Sequence, residues 1–378
     1  MRCLFIMHWG DTGPAISSLI AEGIDCKWTS AERTEDRIRW ILDDIREHPP
    51  DIFVPNLVVA AYLACRWIKD AGISTIGILH SDDPFYHAIQ TEFIFGAKEY
   101  RLDAVVCVSR QIEDDVRLQG ATPTRVRRIP YGVPIPHKRV SRSGFGLRLA
   151  YVGRLAEEQK RISEVVHALA LAVREIPGTS AIIYGDGPER TTVERLISNE
   201  RRNGLNITLA GNIDSEQMQD RMLEADIIVL LSDYEGLPIA LLEAMACGCV
   251  PVCLRGRSGI PELVEDSVTG VLVNDRDSGF VSAIEHLSEN SELWDRLSRA
   301  AKERASLFSA EKSAGAWMTL LNELSPGSVS ASGATAPRKL ELPPVNPALA
   351  SADRRIDPQS FYTRARMRLG SWRRLVVG

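Results

Sequence analysis

The sequence predicts an α/β protein made of two doubly wound domains, each a parallel sheet covered by helices. Three observations predict it. Short apolar, β-branched runs alternate with helix-length segments almost throughout residues 1–324. Several of those runs, "ADIIVLLS" (225–232) among them, lack any apolar–polar alternation, as strands buried on both faces do. Finally, "YGVPIPHKRVSRSGFG" (131–146), rich in Pro, Gly and basic residues, breaks the rhythm once and divides the chain.

In order, the first half offers strands at "RCLFIMHW", "IDCKWTS", "DIFVPNL", "STIGILHS", "AVVCVS" and "VRRIPYGV". Helical patterns such as "TEDRIRWILDDIREH" and "LVVAAYLACRWIKDA" separate most of them. The second half offers "LRLAYVGRL", "TSAIIYGDG", "NITLAGNI", "DIIVLLS", "VPVCLRG" and "TGVLVN", then three helical segments between Ser278 and Leu324. The expected organisation is a first domain over 1–133, a linker over 134–146 and a second domain over 147–324. Beyond Leu324, "SPGSVSASGATAPRKLELPPVNPALASA" (325–352) has no periodicity and is rich in Pro, Ser and Ala, the composition of a disordered linker. A basic amphipathic tail follows at 353–378, with Phe361, Ala365, Leu369, Trp372 and Val376 on one helical side and arginines around much of the rest.

The composition, 44% hydrophobic and 25% charged, is that of an ordinary globular protein. The apolar start "MRCLFIM" is too short for a signal peptide, and no run approaches the roughly 20 residues needed to span a bilayer, so the cytoplasm is the expected location. Seven cysteines, an odd number lying mostly in apolar patterns, argue against a disulfide framework. Cys247, Cys249 and Cys253 lack the second Cys pair or His of a zinc site and read as small core residues. The net charge of −5 hides an asymmetry: residues 325–378 hold nine Arg or Lys against three Asp or Glu, a net of +6, which leaves −11 for the body. An acidic body excludes a nucleic-acid-coating surface. The basic tail fits contact with anionic lipid, and equally a solvated tail or one packed on the body.

Ligands of open α/β sheets bind beyond the carboxyl ends of the strands, and four signals fall there. In "YVGRLAEEQKRI", Arg154 and Lys160 place two cations at a strand end, suited to a diphosphate, although alone they read more readily as surface charge. "YGDGPER" offers Gly185 and Gly187 for close backbone approach of a ligand, or simply a tight turn. "LAGNID" places Asn212 where a nucleobase edge could be read. In "DYEGLPIALLEAMACG" a helix apolar on nearly every side, with Pro238 in its first turn, carries Glu235 at its entrance and Glu243 inside. An unpaired buried carboxylate is expensive, so polar partners are expected at this helix N-terminus. The amides after Gly236 suit phosphate or sugar oxygens, Glu235 suits sugar hydroxyls and Glu243 suits both hydroxyls of a ribose.

Together these segments resemble the retaining GT-B glycosyltransferases of family 4. "EGLPIALLEAMACGCVPV" is similar to their E-x7-E signature, and "YVGRL…QK", "YGDGPE" and "GN" occur in the family's order. "VVCVSRQIEDDV" and "RRIPYGV" resemble two first-domain segments, so the likeness runs from about Val105 to Leu324. It implies two Rossmann-like domains facing a cleft and transfer of a sugar, with retention and without a metal or other cofactor, from a UDP- or GDP-linked donor to a glycan or lipid-linked acceptor. It implies that Arg154 and Lys160 bind the diphosphate, and that Glu235, with Gly236 and Leu237 amides nearby, contacts the donor sugar. Glu243 would hold the ribose, with Gly187, Asn212 and Pro238 on the donor side. His80, ending "TIGILH", would face the reacting sugar. Two departures stand out. Arg161 follows the lysine where the family has Gly, with one extra residue between Arg154 and Lys160, and "WGDTGPAISSL", with Gly10 and Gly13, stands for the Gly-rich acceptor loop in a short first domain. An epimerase or phosphorylase of the same fold, or a non-catalytic binding or scaffolding protein, are the alternative readings.

Overall fold

The computed structural model describes residues 1–7, 14–142, 144–324 and 334–355. Gly10, Gly13 and the tail beyond Arg355 lie outside the described residues. The first domain has strands β1 (Arg2–Ile6), β2 (Asp25–Thr29), β3 (Ile52–Phe53), β4 (Ser74–Leu79), β5 (Ala104–Cys107) and β6 (Arg125–Arg128). All pair in parallel, as a β1-β2 ribbon and a sheet of order β3-β4-β5-β6. The second domain has β7 (Arg148–Val152), β8 (Ser180–Tyr184), β9 (Ile207–Gly211), β10 (Ile227–Leu230), β11 (Tyr234–Glu235), β12 (Val250–Leu254), β13 (Arg257–Ser258) and β14 (Val271–Val273). Its six-stranded sheet runs β14-β12-β10-β7-β8-β9, wholly parallel.

The most apolar runs are the central strands, because the middle of a parallel sheet buries both faces. The four residues of β5 and the four of β10 are all buried. Helices cover the sheets through stripes at helical spacing, as in Thr34–Glu47, where Ile38, Ile41, Leu42 and Ile45 face inward. Helix Ile239–Cys247 is buried along most of its length against Ser215–Leu223 and Ser291–Ser306. That explains a sequence with almost no polar face. Buried apolar side chains run unbroken from the first domain into the face of the second that carries this helix.

Sheet order fixes where a ligand can sit. From β7 the chain moves outward to β8 and β9, then crosses back to β10 on the other side of β7 and continues to β12 and β14. The winding direction therefore reverses between β7 and β10, and a crevice opens beyond their carboxyl ends. The loops leaving these two strands are "GRLAEEQKR" and "LSDYEG".

Three segments differ from expectation. The linker strand is laid along the second domain: Val140 N–H donates to the Cys247 carbonyl at 2.8 Å, and Arg139 reaches Ser298 and Asp295, both at 2.7 Å. Helix Ala310–Leu324, assigned from sequence to the second domain, packs on the first. Leu320 joins Ile76, Ala104, Val106 and Ile129, and Glu323 pairs with Arg125 and Arg127. Most consequentially, residues 334–352, expected to be disordered, form a strap on the first domain. Arg39 donates to the Pro337 and Arg338 carbonyls, the Tyr100 hydroxyl to the Glu341 carbonyl at 2.9 Å, and Asn346 to Glu92 at 2.9 Å. The strap ends where buried Asp353 accepts from the Thr34 hydroxyl at 2.9 Å and pairs with Arg355 at 2.6 Å. The aperiodic, Pro- and Ser-rich composition misled the reading because the strap is held through its own carbonyls, which every residue possesses, and through scattered apolar side chains such as Leu340, Leu342 and Leu349 that pack on the first domain's core.

Asp353→Ala leaves the Thr34 hydroxyl and the Arg355 guanidinium without that acceptor in a buried site. Unfolding by urea should show a loss of about 2 kcal/mol. An unchanged midpoint and slope would mean the strap adds no stability.

Candidate active site

The crevice at β7 and β10 gathers most of the residues singled out from sequence. Glu235, in the two-residue strand β11 that follows β10, is 6% exposed, and its carboxylate is not bare. Lys160 Nζ lies 2.5 Å from Oε1, and Gln159 Nε2 lies 3.3 Å from Oε2. A buried carboxylate without a counter-charge would be strongly destabilising, so the pair accounts for how Glu235 is tolerated. Lys160 reaches it from the β7 loop, across the point where the sheet reverses.

The loop itself is braced. Asp233 receives Arg161 Nε at 2.6 Å and also pairs with Arg276, whose Nε donates to the Leu231 carbonyl at 2.9 Å. Burial alone would push the Asp233 carboxyl up, but the hydrogen bonds and charge of Arg276 and Arg161 outweigh it and hold the pKa below its ordinary value. Arg161, where the family pattern has glycine, sits in the left-handed region at φ +50°. That conformation is uncommon for any residue with a Cβ, and the Asp233 contact helps to hold it.

Arg154, just beyond β7, is exposed and makes no side-chain hydrogen bond to a described residue. Buried Tyr151 holds its backbone, donating to the Arg154 carbonyl at 3.2 Å. With Gly153, Gly185, Asp186, Asn212 and Met218 it lines a cavity of about 280 Å³. Gly185 lines this cavity and Gly187 does not, and neither glycine leaves room for a side chain. A Cβ at Gly185 (φ +142°) would lie 1.9 Å from the Gly153 carbonyl oxygen, and one at Gly187 would lie 2.4 Å from that of Leu155. Both glycines let the β8 loop lie backbone-to-backbone on the loop that carries Arg154.

Helix Ile239–Cys247 starts one residue later than expected, with Pro238 at its cap rather than in its first turn. Pro238 has no N–H to lose there, and the first amides of the helix stay available. Gly236 marks the contact between the domains: a Cβ there would lie 1.8 Å from the His80 carbonyl oxygen. Leu237 is buried beside it. Glu243 lies one turn into the helix, half-buried and without a hydrogen bond to any described residue. Burial alone raises its carboxyl pKa.

His80, at the end of β4, faces this contact from the first domain. Its Nε2 lies 2.7 Å from Asn56 Oδ1, so the ring donates there, and Nδ1 meets the Tyr131 hydroxyl. The two rings stack with centroids 5.9 Å apart. Burial lowers the His80 pKa, which favours the neutral imidazole. In "HSDDP", Asp83 caps helix Pro84–Phe93, accepting from Tyr86 N–H at 3.0 Å, and Asp82 pairs with His87 at 2.6 Å. Those two aspartates are structural. Sequence reasoning passed over Gln159, Asp233, Arg276, Asn56 and Tyr131, because nothing in their spacing says which strand end each one meets.

Two domains of parallel strands covered by helices, which meet where Gly236 of the second lies on His80 of the first, beside an acid–base pair at the reversal point of the second sheet, are the architecture of the GT-B class. The chain belongs to the GT-B glycosyltransferases: residues 144–304 match the family described as Glycosyl transferases group 1, and residues 30–135 that described as Glycosyltransferase Family 4. It is similar to an alpha-D-kanosaminyltransferase of Streptomyces kanamyceticus, 30% identical over 52% of this chain and 54% of that protein. The chain thus spans about half the length of that relative. It is also similar to a GDP-mannose-dependent alpha-(1-6)-phosphatidylinositol dimannoside mannosyltransferase of Mycobacterium tuberculosis, 25% identical over 76% of this chain and 77% of that one. The Anabaena HepE structure in complex with UDP and glucose shares the fold, with a TM-score of 0.68 at 18% identity, covering 85% of this chain and all of that one.

Two outcomes follow. A side chain at Gly236 cannot coexist with the present approach of the domains, so Gly236→Ala should enlarge the radius of gyration in small-angle scattering. An identical scattering profile would show that the contact is not needed for closure. Glu243→Gln removes a carboxyl whose folded-state pKa is raised, so the native protein holds its proton more tightly than the unfolded chain. Stability then falls as pH rises from the ordinary carboxylate range through the raised value. The variant should melt slightly above wild type at pH 7.5, by about 1–2 °C, and the difference should shrink toward pH 4. A lower melting temperature at neutral pH would contradict this.

Proposed function

We propose that the chain moves a sugar from a UDP- or GDP-linked donor to a glycan or lipid-linked acceptor, with retention at the anomeric carbon and no metal. The observation that carries this reading is the buried Glu235–Lys160 pair at the sheet's reversal point. Pockets of doubly wound sheets form at this point, and ionic groups are held there at an energetic cost that binding can use. Beside it stand an unoccupied cation, Arg154, and the open N-terminus of a buried helix. The donors in the names of the relatives, GDP-mannose and UDP with glucose, are of the same chemical class.

In this reading the diphosphate lies against Arg154 and Lys160 and the amides that open helix Ile239–Cys247. These groups stabilise the charge that grows as the glycosidic oxygen departs. Glu235 receives hydroxyls of the donor sugar, with Gly236 and Leu237 beside it, and Glu243 receives the ribose. Asn212 reads the base side. His80 Nε2–H donates a hydrogen bond to a sugar hydroxyl in place of Asn56. The bond from anomeric carbon to phosphate oxygen breaks while the acceptor oxygen bonds on the same face, and the acceptor proton passes to the departing phosphate.

Calorimetric titration with UDP, GDP, ADP and their common sugars tests the donor site. One nucleotide series should bind, and Glu243→Ala should weaken it by about tenfold or more. If none binds, the non-catalytic scaffold is the better reading. Peripheral contact with anionic lipid belongs to the same proposal: residues 356–378 contain five arginines against one aspartate. Deleting them, which leaves the strap through Arg355 intact, should abolish sedimentation with phosphatidylserine liposomes. Equal sedimentation of both forms would remove the tail from the account.

A further inference from the structure

The β7 loop grips the β10 loop residue by residue. Gln159 O accepts from Asp233 N–H at 3.0 Å, and Gln159 Nε2 donates to the Tyr234 carbonyl at 2.7 Å and to Glu235 Oε2 at 3.3 Å. Lys160 holds Glu235 Oε1, and Arg161 holds Asp233. Three consecutive residues of one loop thus clasp three consecutive residues of the other. Within this clasp, Gln159 alone bonds both the backbone and the carboxylate of the Glu235 segment.

We infer that Gln159 is a positioning residue, which fixes the rotamer of Glu235 so that its carboxylate faces the sugar of the donor. The inference rests on the donor-site reading proposed above. A carboxylate has two oxygens and rotates about the end of a flexible stem. A single cation on Oε1 leaves that rotation free, and a compact ammonium holds as a point charge without direction. The amide of Gln159 adds direction. Its nitrogen is anchored on the Tyr234 carbonyl, immediately before Glu235, so the second bond to Oε2 sets the plane of the carboxylate against its own backbone. Adjacent in sequence, Gln159 and Lys160 reach the two oxygens of the same carboxylate.

The arrangement separates two parts of donor binding. Arg154, Lys160 and the helix amides serve the diphosphate, and the Gln159 amide bonds instead the Tyr234 carbonyl and Glu235. Its effect should therefore be felt through the sugar alone.

The test is calorimetry on the full chain with a nucleoside diphosphate and the matching nucleotide sugar, together with turnover, for wild type, Gln159→Leu and Arg161→Ala. Gln159→Leu should leave the nucleoside diphosphate affinity within about twofold while nucleotide-sugar affinity and kcat fall about tenfold. Arg161→Ala breaks the same clasp at Asp233 without touching Glu235, and should leave the ratio of the two affinities unchanged. Equal weakening of both ligands by Gln159→Leu, or an equal change of the ratio by Arg161→Ala, would overturn the assignment and reduce the clasp to loop stability. Wild-type protein that binds neither ligand would overturn the donor-site reading first, and the role of Gln159 with it.

Discussion

The arrangement of the second domain depends on the contact between Glu235 and Lys160. A carboxylate 6% exposed needs a compensating partner, and here the partner comes from the neighbouring strand's loop, not from its own helix. That requirement constrains everything near it. The β7 loop must be long enough to bring Lys160 across, Arg161 must turn through a left-handed conformation to enter helix Ile162–Glu175, and Asp233 must be held by Arg161 and Arg276. The parallel pairing of β7 and β10, Leu149 opposite Ile227 and Ala150 opposite Ile228, sets the register that makes these loops neighbours.

Close backbone approach is the second constraint. Gly185 and Gly187 allow the β8 loop to rest on the β7 loop, and Gly236 allows the two domains to meet at His80. The same residues would be read in a sequence as places for a ligand to touch the main chain. They are places where the chain touches itself, supporting the loop under Arg154 in one case and bringing the domains together in the other, although Gly185 also lines the cavity beside Arg154. Positioned charge is worth more than flexible charge, because the entropy of ordering it has been lost before the ligand arrives.

How much of this was legible in the sequence follows from what each feature is made of. The strands were legible because burial on both faces demands unbroken apolar runs, and those runs are visible without knowing the fold. Glu235, Glu243, Arg154 and Lys160 were legible because their charges interrupt or border those runs. The strap was not. Pro337, Arg338, Glu341 and Pro343 contribute carbonyl oxygens to donors on the first domain, and a carbonyl leaves no mark on composition. Helix Ala310–Leu324 shows an apolar stripe, but a stripe does not name the surface it covers, and the chain crosses back to the first sheet to bury Leu320. Gln159 carries no charge and sits between Glu158 and Lys160, so its role appears only once the register of β7 and β10 is fixed.

The charge arrangement also constrains the order of events at the site. With Glu235 on Lys160, the lysine is neutralised, and Arg154 faces the cavity without a described partner. In the donor-binding reading proposed above, a diphosphate meets Arg154 first and competes with Glu235 for Lys160, and the sugar hydroxyls supply the hydrogen bonds that a buried Glu235 then lacks. On that reading a nucleotide without its sugar leaves the carboxylate short of donors, whereas the complete nucleotide sugar satisfies both charges of one ion pair placed where two neighbouring loops meet.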